Sequence, residues 1–190
     1  MTTGKQKIGS SLLTLGLIGL TAALLLTGVH QLTQQRIAEE NQKRALASLH
    51  QLLPPERYDN DLINDQFTAR IPGLSGAATI YRARLNNEPV ALLADVVTSQ
   101  GYSGDIRLLI ALDVSGTVLG VRPINHRETP GLGDRIEVER SDWIEQFEGR
   151  SLSDPASEQW RADQRGGEFD TLSSATITSS AVIHAVRDVL

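Results

Sequence analysis

The run Asp170-Thr171-Leu172-Ser173-Ser174-Ala175-Thr176-Ile177-Thr178 holds the residues whose type and spacing best suit chemistry. Ser173, Ser174, Thr176 and Thr178 follow an acidic residue and open an apolar, helix-like tail. A helix start presents unpaired N–H groups and the positive end of a dipole, so it receives phosphates readily. A threonine hydroxyl placed there can also be esterified by a phosphate. Serine and threonine are equally ordinary helix caps, and the pattern alone favours the cap.

Two glycine loops upstream are the other candidates. Glu128-Thr129-Pro130-Gly131-Leu132-Gly133 breaks both helical and strand periods, and glycines let a backbone approach a flat or anionic ligand closely. Gly101-Tyr102-Ser103-Gly104-Asp105 lies just before an expected strand, where an aromatic plug in a hairpin or bulge is the plain reading. Glu128 and Asp134 are the carboxylates in reach of acid–base work. With no evident histidine partner or carboxylate pair, they read as solvated loop charges.

Other chemistries lack a carrier. The chain has no cysteine, which removes disulfides, thiol nucleophiles and cysteine-held clusters. His30, His50, His126 and His184 are scattered without metal-ligand spacing. A net charge of -5 disfavours nucleic acid as a partner. Neither a Gly-x-Ser-x-Gly elbow, nor a phosphate-binding Gly-x-x-x-x-Gly-Lys loop, nor a dinucleotide fingerprint is present.

The elements that must position these residues begin with a membrane span. Ile8 to Val29 carries no charge and is about as long as a bilayer-crossing helix. No Ala-x-Ala cleavage site follows it, so a retained anchor is expected. Lys5 and Lys7 put residues 1–7 in the cytoplasm and the rest of the chain outside. Residues 30–55 read as a stalk helix, rich in good helix formers and stopped at Pro54-Pro55. Residues 56–190 read as an α+β domain: a mostly antiparallel sheet with flanking helices. Its strands are expected at 77–85, 90–98, 105–112 and 117–124, with turns at Asn86–Pro89 and Asp113–Gly116. The middle strands should be covered on both faces. A short helix is expected over 142–147, polar turns over 150–169, and a closing helix from about Thr178 to Val189 with Val182, Ala185, Val186 and Val189 as its apolar stripe.

Taken in order, Gly101-Tyr102-Ser103-Gly104, then Glu128–Gly133, then Trp143 and Phe147, then Asp170–Thr176 resemble the G subunit of the Rnf (Rsx) electron-transport complex, within the wider FMN-binding domain family. The likeness spans essentially the whole chain, anchor included. It implies FMN joined by a phosphoester to a threonine hydroxyl, made by a separate flavin transferase from FAD with magnesium. The target pattern is Asp, three residues, a small residue, Ala and Thr; here it implies Thr176 as the attachment point, with Asp170, Ser173, Ser174 and Ala175 in the motif. The family often has glycine where this chain has Ser174. Thr178 is the local rival acceptor and fits the pattern worse. Contacts to the cofactor from Ser173, Thr178, Glu128, Thr129, Gly131, Leu132 and Gly133 are expected from their loops.

The same resemblance implies a redox relay with no catalytic acid or base of its own. It would serve a bacterial inner-membrane complex that couples electron transfer between ferredoxin and the nicotinamide pool to ion translocation, or that keeps a redox-sensing transcription factor reduced. The other subunits of that complex, the flavin transferase and the membrane are the implied partners. Two alternatives stand beside it. One is the C subunit of the sodium-translocating NADH:quinone reductase, which is usually longer. The other is a cofactor-free outer binding or assembly module, in which the hydroxyl run only caps a helix.

Overall fold

The computed structural model describes residues 16, 19, 20 and 27, all helical, and residues 47–190. The expected span at 8–29, those four positions apart, and the expected stalk as far as residue 46 lie outside the described residues. Among the described residues, no helix is long and apolar enough to cross a membrane. The chain divides into two compact units, Met1–Arg44 and Ala45–Leu190. All that follows concerns the second.

Five strands make one antiparallel sheet in sequential order: β1 (Gln66–Ala69), β2 (Ala78–Leu85), β3 (Glu88–Thr98), β4 (Ile106–Asp113) and β5 (Val118–Asn125). Four of them lie within a residue or two of the expected spans. β1 was not expected: it is four residues long, mostly exposed and sits at the sheet edge, so it carries no alternating apolar signal.

The β2–β3 turn is tighter than expected. Only Asn86 and Asn87 form it, at φ 53° and 67°. Two consecutive left-handed residues match the twist of a two-residue hairpin, and asparagine tolerates that conformation better than most residues. Glu88 and Pro89 belong to β3 instead. Pro89 faces Arg84 beside a register shift, where a missing N–H does least harm.

The sheet is covered on both faces, as its apolar middle strands require. On one face Ile80, Ala94, Val96, Ile106, Leu108 and Ile110 pack against helix α1 (Thr176–Val189) and the 3₁₀ turn Asp142–Phe147. On the other, Ala83, Ala91, Leu93, Leu109 and Ala111 meet Leu49, Leu52 and Leu53 from helical residues 47–52 and the turn after them. Gly120 on β5 fits this contact, because a Cβ there would stand 2.6 Å from Leu52 Cδ2.

Residues 150–169 contribute more than polar turns. Trp160 and Phe169 are fully buried and join Trp143 and Phe147 in an aromatic cluster, with the Trp160 and Phe169 centroids 4.5 Å apart. The indole N–H of Trp143 donates to the Asp170 carbonyl at 2.7 Å. The Asp170 N–H in turn donates to Gln146 Oε1 at 2.8 Å. The aromatic cluster therefore fixes where the hydroxyl run leaves the core and enters α1.

Candidate functional site

The hydroxyl run begins α1 two residues earlier than expected, at Thr176, and the ordinary cap is not made. Ala175 occupies the cap position and no side chain bonds the helix start there. Ser173 and Ser174 are exposed. Ser174 has φ 67°, in the left-handed region that favours glycine. This conformation swings the chain from Leu172 into the helix axis. Ser179 steadies the bend by accepting the Leu172 N–H at 3.0 Å while its hydroxyl donates to the Ala175 carbonyl at 3.0 Å. The first N–H groups of α1 thus have no side-chain cap, the arrangement that attracts an anionic oxygen.

The residues of this helix start line a cleft of about 460 Å³. Three segments wall it: Tyr102 from the first glycine loop; Glu128, Thr129, Leu132 and Gly133 from the second; and Ser174 to Thr178 from the helix start. Three motifs spread along the chain from Tyr102 to Thr178 therefore meet at one place. Asp170 and Ser173 do not line this cleft; they border a separate depression of about 270 Å³ with Arg135 and Asp163. Gly131 is not in the cleft wall either. At φ 78°, it turns the loop that presents Leu132.

Tyr102, absent from the expected contact residues, adds an aromatic ring to the wall. It is 68% exposed, and Leu132 and Ile177 on the same cleft are also exposed apolar side chains. Such a lining, mostly apolar with a few polar groups, suits a flat organic ring with a polar tail. Its position before a strand was the sequence signal, and a plug reading hid it.

The two threonines differ sharply. Thr178 is 1% exposed and its hydroxyl donates to Glu128 Oε2 at 2.5 Å. Thr176 is partly exposed, and its hydroxyl donates only to Gln164 Oε1 at a long 3.3 Å. The Thr176 hydroxyl is thus open to solvent, and that of Thr178 is sealed.

Glu128 and Asp134 are not the solvated charges expected of loop residues; both are buried. Asp134 lies 3.0 Å from Arg140 Nη1, although neither of its oxygens accepts a well-aligned hydrogen bond. The nearby His126 bonds the main chain of Glu128, not its carboxylate: the Glu128 N–H donates to His126 Nδ1 at 3.2 Å, and His126 Nε2 meets Glu137 Oε1 at 3.0 Å. The folding of a loop over its own carboxylate has no simple sequence signature.

All the residues that wall this cleft lie within a single family-model match. Residues 101–190 match the family model described as FMN-binding domain, and residues 1–52 match that of the RnfG N-terminal region. The chain is 41% identical to the G subunit of the ion-translocating oxidoreductase complex of Pseudomonas aeruginosa, over 99% of this chain and 89% of the relative. The G subunit of the same complex from Escherichia coli is 41% identical over 98% and 88%, and that from Shewanella loihica 38% identical over 98% and 89%. The chain belongs to the G-subunit family of ion-translocating oxidoreductase complexes. These relatives bear the G-subunit name rather than that of the C-subunit alternative.

Proposed function

We propose that this chain is the FMN-carrying subunit of an ion-translocating oxidoreductase complex, with FMN esterified to Thr176 and seated in the cleft. The observation that carries this is the pairing of a reachable Thr176 hydroxyl with an uncapped helix start on the wall of that cleft. The residues present fit the group. The α1 N–H groups suit phosphate oxygens, and Tyr102, Leu132 and Ile177 offer apolar surface to a ring.

When bound, FMN supplies reversible uptake and release of electrons; the protein supplies position and local field. Thr176 is the tether and fixes one end. The Glu128–Gly133 loop and Tyr102 bound the space for the other end. A relay that serves neighbouring subunits asks position and field of this chain rather than a proton-transferring side chain. Residues 8–29 form the single-pass anchor, with residues 1–7 in the cytoplasm, residues 30–55 as stalk and the remaining domain on the outer face of a bacterial cytoplasmic membrane. The uncharged run and the Lys5–Lys7 flank support that orientation. The other subunits of the complex and a flavin transferase are its partners.

Intact-mass measurement of the full chain, co-expressed with a flavin transferase, tests the reading. The expected mass is raised by FMN less water, and Thr176→Ala abolishes the increment while Thr178→Ala retains it. An unshifted wild-type mass, or an unchanged increment in Thr176→Ala, refutes it. A yellow, ultraviolet-fluorescent band that survives denaturing electrophoresis excludes the cofactor-free module.

A further inference from the structure

Three chain segments close on one buried carboxylate. Glu128 is 4% exposed. Its Oε1 accepts the Ser103 N–H at 3.0 Å, and its Oε2 accepts the Thr178 hydroxyl at 2.5 Å. The first bond holds the loop that carries Tyr102; the second holds the first turn of α1. The glycines of both loops make room for this junction. A Cβ on Gly101 would stand 2.8 Å from Glu128 Oε1, and one on Gly133 would stand 3.0 Å from Oε2 and 3.0 Å from Thr178 Oγ1.

A fully packed junction between loops does not itself need a charge. An amide would accept one bond and donate the other. A carboxylate is a costly choice in a buried site, and both of these hydrogen-bond partners are neutral. The residue also borders the cleft: Glu128 is the one charged residue among the described residues that line it. A charge in that position acts on whatever occupies the cleft, and the low local dielectric strengthens its effect.

We propose that Glu128 is a positioning residue for the cofactor cleft and that its charge holds the bound flavin in a harder-to-reduce state. This rests on the FMN reading above. The sign follows from electrostatics: adding electrons makes the ring more negative, and a fixed negative charge nearby opposes that. The positioning follows from the two bonds, which tie Ser103, next to Tyr102, and Thr178 to the two oxygens of one side chain.

Two variants separate the claims. In Glu128→Gln the amide oxygen accepts from Ser103 and the amide nitrogen donates to Thr178 Oγ1, so the shape stays and the charge goes. Redox titration of the flavin-loaded full chain should show an upward shift of the midpoint potential in this variant, with wild-type protection of the Ser103 amide. In Glu128→Ala both bonds go, and hydrogen exchange at Ser103, read on the unloaded chain, should speed up about tenfold for the loss of one such bond. A midpoint potential unmoved in Glu128→Gln overturns the field claim, since a purely structural glutamate predicts that result. Unchanged Ser103 exchange in Glu128→Ala overturns the positioning claim. A wild-type chain whose mass shows no FMN overturns the cofactor reading and the field claim together, while the exchange measurement still decides positioning.

Discussion

Thr176 and Thr178 carry the same functional group on the same helix start, and burial separates them. Thr178 has the carboxylate that would activate a hydroxyl, yet it is sealed beneath the loop; Thr176 has the access. Ser174 shows a second consequence of residue-scale geometry. Its φ of 67° costs an ordinary residue about 1–2 kcal/mol, and glycine nothing sterically, though glycine gives back part of that gain as chain entropy. Ser174→Gly should therefore stabilise the domain by about 0.5–1 kcal/mol, seen as a higher urea midpoint, and leave the FMN mass increment intact. A lower midpoint would mean that the serine hydroxyl makes a contact worth more than the backbone relief.

At the scale of elements, the clearest signals in the sequence were the hairpins and the apolar stripe of α1. Asn86-Asn87 and Asp113-Val114-Ser115-Gly116 carry their turns in their own side chains. Asp113 Oδ1, for instance, accepts the N–H groups of Ser115 and Thr117 at 2.8 and 2.9 Å. β1, Trp160 and Phe169 were illegible because their places are set by distant partners rather than by period. The cleft was legible as three motifs but not as a junction, since the burial of Glu128 depends on two loops folding over it. α1 also carries a titration. The partly buried His184 has its pKa lowered, first by burial and then by Arg187, with Arg165 and Arg161 adding and Asp188 opposing. The unfolded chain therefore binds this proton more readily than the folded one. The His184 contribution is intact above the ordinary pKa of 6.5 and is lost as pH falls below it toward the depressed folded value. Urea midpoints taken between about pH 8 and pH 5 should fall on acidification, and His184→Gln should fall less steeply. Parallel slopes in the two proteins would show that His184 is not the group responsible.

For the molecule as a whole, the decisive boundary lies ahead of the sheet. Helical residues 47–52 look like the end of a stalk, but the compact unit begins at Ala45, and Leu49, Leu52 and Leu53 are buried against the face of the sheet opposite α1. Full burial of a leucine side chain contributes about 1.5–3 kcal/mol, so the three together contribute roughly 5–9 kcal/mol. A domain of this size has a net stability of only about 5–15 kcal/mol. Cutting the chain at Pro55 would remove those leucines and expose Leu93, Leu109 and Ala111 beneath them. Residues 45–190 produced alone should unfold in one cooperative transition. Residues 56–190 should be unfolded or aggregated, or at best melt far lower, when both are followed by circular dichroism and calorimetry. Equal melting temperatures would mean that the leucine contact adds little and that the sheet stands without its second cover. The expected difference makes the last turns of the stalk part of the flavin domain's own fold.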